Sequence, residues 1–477
     1  MDLLLLDPTL PEPLYIQLYQ QFRRQIEQGS LSAGEKLPSI RSLARQLTIS
    51  KITVEKAYLQ LMSEGYIENG NRSRYTVSPF EPSVAPPVAK NPLPAARIVS
   101  PPPAPPIRYD FASGEMDGNG FNFPLWKRYI NKVFARPDQL TGYGHYQGEL
   151  ELRQELARYL QSSRGVAAHP EQIVIGAGVQ NLLHMLCSLL KPEHTSIAFE
   201  EPGFKNGRRI FADNSFTIIP VGMNADGLNM QELQTSQTRL VYLSPSHQFP
   251  TGYIMPIGQR HRLLAWAKTA QGTIIEDDYD SEFRYFGRPI PALQGLDRDG
   301  SVIYVGSLSK LIPPSIRISY MVLPPRLLYL YQKNSALYNQ SASTLEQLAL
   351  AAFMADGHFE RQIRRLRKLY QEKSLLFYET IQRCLGDRAT INMTDSGLHT
   401  ILNLQTTLST GELVTRARQQ GCRVVPIEEY YWENPPGKLP QIILYFSKIP
   451  RQEIQPAIEL LRSAWFDKVL DIPPHIQ

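Results

Sequence analysis

Cysteine is scarce in this chain. Its 477 residues include three, Cys187, Cys384 and Cys422, far apart and in no CxxC pair. An odd, scattered set excludes a disulfide framework and a thiolate zinc site, and it fits a reducing cytoplasm. Long apolar runs are missing too. No segment approaches the roughly 20 apolar residues of a membrane helix. The apolar stretch at 3–6 is short and flanked by Asp2 and Asp7, without the basic start of a secretory signal. Charge of one sign is also lacking: the net charge is +5 with 20% charged residues, too mild to call for nucleic acid by itself. No internal repeat of fixed period occurs. The expectation is a cytoplasmic globular protein without membrane association. Its length and 42% hydrophobic content suit more than one domain.

Proline is unevenly abundant. Eleven prolines fall between Pro79 and Pro106. Proline removes backbone donors and fixes φ, so this stretch continues neither helix nor sheet and reads as an extended spacer. The chain therefore divides into a module at 1–79, a linker at 80–109 and a large body at 110–477.

In the first module, Leu14, Ile16, Leu18, Tyr19, Phe22 and Ile26 recur near helical spacing, and Gly29 ends that helix. Ser39 caps a second helix carrying Ile40, Leu43, Ala44 and Leu47. After a short turn, Ser50 caps a third, which buries Val54, Tyr58, Leu61 and Met62 and stops at Gly65. Two short helices joined by a tight turn form a helix-turn-helix. Tyr66-Ile67 and Tyr75-Thr76-Val77, flanking Asn69-Gly70, read as a hairpin wing. Between Lys36 and Tyr58 five basic residues face one acid, whereas residues 1–78 as a whole hold nine basic and eight acidic. Positive charge is thus concentrated where phosphates would be neutralised.

The stretches PLYIQLYQQFRRQIEQGSLSAGEKLPSIRSLARQL and SKITVEKAYLQLMSEGYI resemble the GntR family of winged-helix regulators. The resemblance implies double-stranded operator DNA as partner and makes the helix from Ser50 the recognition helix. Lys51, Ile52 and Thr53 would face the major groove, with Arg41 and Arg45 near the backbone. The wing reads NGNRSRY rather than the family's glycine-rich tip. Arg72 and Arg74 could there serve a minor groove, phosphates or solvent alike.

Three segments of the body carry chemistry. IIEDDYDSEF, from Ile274, looks like a buried strand with acids at its C-terminal edge, where open α/β sheets bind ligands. VIYVGSLSKLIPPSIR, from Val302, runs a buried strand into Ser307, Ser309 and Lys310. IVIGAGVQNLL, from Ile173, passes through Gly176 and Gly178 into a helix N-terminus suited to a phosphate. Each alone is a weak signal. In this order they resemble a fold type I pyridoxal 5'-phosphate (PLP) aminotransferase over about 110–466. With the GntR-like head and SPSHQFPTG (Ser244 to Gly252), the whole resembles the MocR-type regulators. The implied fold is α/β. A winged helix-turn-helix precedes a large α/β/α domain with a mostly parallel sheet and a small C-terminal α+β subdomain at about 345–466.

The resemblance also implies roles. Lys310 supplies the amine for a Schiff base with PLP. Asp277 keeps the pyridine nitrogen protonated, and Tyr279 reaches the phenolic oxygen. Gly178, Val179, Ser307, Ser309 and Arg317 hold the phosphate. Phe204 stacks on the ring, and Tyr143 serves the phosphate of a neighbouring subunit in a homodimer. Two departures stand out. Phe249 occupies the position of the aminotransferases' asparagine before PTG, so His247 or Gln248 is expected to stand in for it. The strand QIILYFSKIP lacks the arginine that clamps a substrate carboxylate, leaving Arg423 as the nearest candidate. Glu428 and Glu429 would repel a carboxylate. Both tell against an ordinary α-amino acid, so an amine, a peptide-like ligand or PLP itself fits at least as well as an amino-acid-like effector. These residues suit a small-molecule-sensing regulator. The alternative is an active aminotransferase with an attached DNA-binding head.

Overall fold

The structure is a computed structural model that describes residues 6–70, 74–79, 106–224, 227–286, 290–391, 396–433 and 439–467. The chain forms two compact units divided between Pro103 and Ala104. Residues 80–105 of the expected linker, and Arg72 at the wing tip, lie outside the described residues.

The first unit holds α1 (Leu14–Glu27), α2 (Ile40–Gln46) and α3 (Lys51–Ser63), followed by β1 (Ile67–Gly70) and β2 (Arg74–Val77). β1 and β2 pair antiparallel from Ile67↔Val77 to Gly70↔Arg74, giving the wing. Ser39 Oγ and Ser50 Oγ accept the backbone N–H of Ser42 and Thr53 at 3.2 and 3.1 Å, the caps read from the sequence. Leu18, Phe22, Leu43, Val54, Tyr58 and Leu61 are fully buried together. Met62, expected in this core, is exposed.

The second unit is built on eight strands: β4 (Ile173–Gly176), β5 (Ser196–Glu201), β6 (Thr217–Asn224), β7 (Gly227–Leu228), β8 (Leu240–Leu243), β9 (Thr273–Asp278), β10 (Val302–Ser307) and β11 (Ser319–Val322). Their order is β4-β11-β10-β9-β8-β5-β6-β7. From β10 through to β6 every pairing is parallel. β11 runs antiparallel to both β10 and β4. Two reversals restore the direction of β4, so Gly176 reaches the same sheet edge as Asp278 and Ser307. Helices cover both faces, which is why the central strands are buried throughout and read as continuous apolar runs.

A smaller antiparallel sheet follows, in the order β12-β13-β16-β15. Its strands are β12 (Ala389–Ile391), β13 (His399–Leu404), β15 (Val425–Pro426) and β16 (Gln441–Tyr445). The small domain's core does not begin near 345. Leu348, Leu350 and Phe353 pack with the large domain, as do Phe359, Ile363, Leu366 and Tyr370 of the helix His358–Leu385. The small-domain core starts at Phe377 of that same helix. It also takes in Tyr109 and Phe111. The strand β3 (Tyr109–Asp110) pairs parallel with β14 (Cys422–Arg423).

Candidate functional site

A cavity of about 590 Å³ opens at the C-terminal edge of the large sheet, where parallel strands converge on ligands. Gly178, Val179, Phe204, Asp277, Tyr279, Ser307, Ser309, Lys310 and Arg317 all line it. The three sequence segments, spread over more than 130 residues, therefore meet in one place.

The acidic run forms the C-terminal end of β9, as read from the sequence, and Glu276, Asp277 and Asp278 are all buried there. Alternation along the strand sends neighbouring acids to different partners. Asp278 accepts from Arg164 Nε at 2.7 Å and from Tyr304 Oη at 2.6 Å. Glu276 accepts two backbone N–H groups, of Leu293 and Gln294, at 2.8 Å each. Asp277 alone of the three lines the cavity. Burial pushes its carboxyl up to about 7, against a lowering hydrogen bond from Tyr242. That bond, at 2.6 Å, occupies Oδ2. Oδ1 is buried and has no partner among the described residues. A carboxylate with one anchored and one open oxygen suits a protonated ring nitrogen.

Lys310 Nζ donates to Gly114 O at 2.5 Å. A Cβ on Gly114 would stand 2.7 Å from that nitrogen and 2.8 Å from Tyr445 Cε1, so the lysine's berth requires glycine there. Burial lowers the lysine's pKa, and Asp280 and Glu115 pull it partly back. A depressed amine pKa favours the neutral, nucleophilic form.

The anion cradle lies at the start of the helix Val179–Leu190. Gly178 has φ +91°, and a Cβ there would stand 2.6 Å from Arg317 Nη2. Arg317 itself has left-handed backbone at φ 58° and donates to Ala177 O at 3.1 Å. Ser307 and Ser309 hydroxyls lie 2.9 Å apart, and Ser319 Oγ donates to Ser307 Oγ at 3.4 Å. Helix N–H groups, a guanidinium and a hydroxyl cluster are groups suited to an anion such as a phosphate. Phe204 stacks near Tyr242, with ring centroids 6.1 Å apart.

Several expectations need correction. His247 does not line the cavity. Its Nδ1 lies 2.8 Å from Asp280 Oδ1 and 3.1 Å from Tyr279 Oη, which places it behind Tyr279 as a support. Gln248 is consumed by its own loop, donating to Pro202 O at 2.8 Å and accepting from Thr251 N at 3.1 Å. Phe249 lines the cavity instead, edge-on to Tyr279 and Tyr430. Arg423 is no carboxylate clamp, because it forks onto Asp110 with two 2.8 Å bonds. Glu429 lines the cavity but is neutralised by Lys205 at 2.7 Å, and Glu428 accepts from Thr410 at 2.6 Å. Tyr143 is 99% exposed, so it is neither a core residue nor part of this chain's own cavity.

Sequence reading missed Tyr242, Asp280, Ser319, His399, Tyr430 and Tyr445. All but Tyr242 line the cavity. Tyr242 carried no local signal, since it meets Asp277 only where β8 lies beside β9, with Tyr242 opposite Ile275. His399 and Tyr445, paired across β13 and β16, carried none. His399 is held neutral: burial lowers its pKa to about 4.

On the first unit, Arg41, Arg45, Ser50 and Lys51 are exposed and Thr53 is half-buried. The basic residues expected to meet phosphate are therefore accessible.

Residues 14–77 match the bacterial regulatory proteins of the gntR family, and residues 107–439 match aminotransferase class I and II. The uncharacterized HTH-type transcriptional regulator YdeL of Bacillus subtilis is 40% identical over 462 residues, covering 96% of this chain and 98% of that protein. The "Probable rhizopine catabolism regulatory protein MocR" of Rhizobium meliloti is 33% identical over 97% of this chain and 96% of its own length. The HTH-type pyridoxine biosynthesis transcriptional regulator PdxR of Corynebacterium glutamicum is 31% identical, covering 89% and 90%. Among solved structures, an archaeal alanine:glyoxylate aminotransferase superposes with a TM-score of 0.68 at 23% identity, over 76% of this chain and 91% of that one. At that identity the likeness shows the fold, that of the fold type I aminotransferases. The described residues contain no helix long and apolar enough to cross a membrane. A winged helix-turn-helix head joined to an aminotransferase body, with regulators as full-length relatives, makes this chain a member of the MocR-type transcriptional regulators of the GntR family.

Proposed function

We propose that this regulator binds PLP in the sheet-edge cavity and alters its grip on operator DNA when a small amine or amino-acid-like ligand, or PLP itself, occupies that cavity. The observation that carries the reading is the unpartnered Asp277 Oδ1, in one cavity with Lys310 and the Gly178–Arg317 anion cradle. Amine, carboxylate, anion cradle and aromatic face are the four groups the cofactor needs, so the residues present fit it. Bound PLP supplies an electrophilic carbonyl carbon and an electron-withdrawing ring. Asp277 holds the proton on the ring nitrogen. Lys310 offers its amine to the carbonyl carbon. Tyr279 orients the phenolic oxygen while His247 and Asp280 fix Tyr279 from behind. Effector binding shifts the protein only by its difference in affinity between two states.

The full-length protein, incubated with PLP and reduced with borohydride, is expected to gain one phosphopyridoxyl group on Lys310 (the cofactor less water plus two hydrogens), read by peptide mass spectrometry. Lys310→Ala should gain none while still retaining PLP non-covalently. Labelling of the variant, or none in the parent, would sink the reading. Absorbance of the loaded protein with added amines then separates sensor from enzyme. A lasting spectral change favours the sensor, and conversion reversed by a keto acid means turnover.

In the head, Arg41→Ala is expected to weaken binding to all DNA sequences alike. The slope of log K against log salt should fall by about 1, as for one lost phosphate contact. Arg45 should behave similarly, and unchanged slopes in filter-binding titrations would contradict this placement. We further propose a homodimer. Tyr143, fully exposed on its own chain, is available to a partner's cavity. A monomer by light scattering with PLP bound would count against this.

A further inference from the structure

We infer that Ile52 reads a base of the operator, and that the base is thymine, recognised through its 5-methyl group. This assignment rests on the DNA-binding reading of the head and extends it from the helix to one side chain and its chemical target.

The first turn of α3 offers few groups for reading bases. Ser50 Oγ accepts the Thr53 N–H at 3.1 Å, and the Ser50 and Thr53 hydroxyls bond each other at 2.8 Å. Both hydroxyls are therefore committed to the helix end, and Thr53 positions the turn rather than projecting from it. Lys51 and Ile52 remain outward. Lys51 is a flexible point charge that suits phosphate. Ile52 is 64% exposed, the most exposed large apolar side chain among the described residues of the head. It lies two residues from Val54 and so on the side of the helix away from the buried stripe of Val54, Tyr58 and Leu61.

Folding does not account for it. A β-branched residue is a poor choice in an exposed helical turn, and this one packs into no core cluster. In the major groove, the thymine methyl is the one alkyl group on any base edge; adenine, guanine and cytosine present donors and acceptors there. An isoleucine against guanine, cytosine or adenine would strip water from those groups and give no hydrogen bond in return. The side chain therefore both attracts thymine and penalises the other bases.

The test uses the PLP-loaded full-length protein and the tightest-binding duplex selected from a randomised pool. Each thymine is replaced in turn by deoxyuridine, which lacks only the methyl. The parent should lose about fourfold in affinity at one thymine per half-site, the worth of one buried methyl. Ile52→Ala should bind the thymine duplex more weakly and no longer distinguish thymine from uracil there. Its melting temperature should be no lower than the parent's, because the side chain is outside the core and alanine suits an exposed helical turn. If the parent shows no methyl-sensitive thymine, or if Ile52→Ala retains the full difference, the assignment is overturned. If no duplex in the pool is retained at all, the DNA-binding reading itself fails, a separate and recognisable outcome.

Discussion

Asp277→Asn is expected to loosen PLP and, at the same time, to stabilise the cofactor-free protein at neutral pH. The two effects have opposite signs because one carboxylate serves both states. With cofactor present, the substitution removes a buried, charge-assisted hydrogen bond to the ring nitrogen. That loss costs about 2–4 kcal/mol, a factor of ~30 to ~1,000 in affinity. Without cofactor, burial raises the carboxyl from its ordinary 3.8 to about 7. As pH climbs through 4 the unfolded chain gives up this proton, while the folded chain keeps it until about 7. The folded state binds more protons over that range, so the group's contribution to stability falls as pH rises and is lowest above 7. A three-unit shift corresponds to roughly 4 kcal/mol at most. Asparagine is neutral at every pH and escapes the penalty. Urea titrations of the PLP-free proteins should therefore diverge at pH 8 and converge near pH 4. Equal PLP affinity would refute Asp277 as the cofactor's partner. Equal stability at pH 8 would refute the account of its burial. Glu200, pushed up to about 8 by burial, adds to the same trend, so the PLP-free parent should itself be more stable at pH 6 than at pH 8.

Arg164→Ala is expected to cost about 3–5 kcal/mol of unfolding free energy. Arg164 and Asp278 are nearly sealed from solvent, their side chains 2% and 3% exposed. The guanidinium also donates to Ser246 Oγ at 2.7 Å and to Ile290 O. Alanine leaves Asp278 buried and without its cation, one residue from Asp277. By contrast, Arg23→Ala breaks an exposed helical pair with Glu27 and should cost well under 1 kcal/mol. Midpoints from urea unfolding of the two variants test the contrast. A loss below 1 kcal/mol for Arg164→Ala would mean that water reaches Asp278.

The head and the residues that line the cavity from Gly178, Asp277 and Lys310 were legible because their signals are local. A capping serine before an apolar stripe, or a strand running into Gly178 or Lys310, sits within a dozen residues of chain. What stayed hidden depends on topology. Tyr242 finds Asp277 only because β8 lies beside β9. His399 and Tyr445 reach the cavity from a second sheet. His247 was misplaced because the path of the loop after Ser244 is set by Gln248, whose bonds to Pro202 and Thr251 point Phe249 into the cavity instead. Arg423 resembled a free cation until β3 brought Asp110 to it from the far end of the body. The boundary near 345 failed for a similar reason, since one continuous helix supplies both cores and no break in sequence marks the change.

The pairing of β3 with β14 has a mechanical consequence. The chain leaving the proline-rich segment does not attach to the large domain that follows it in sequence. It is stitched into the small domain, with Tyr109 and Phe111 in that domain's core. The small domain also carries Glu429 and Tyr430 in the cavity wall. Any rotation that moves those two residues against the helix starting at Lys205 must drag the tether's anchorage along. The point where the chain enters the body is thus part of the same small domain that carries Glu429 and Tyr430.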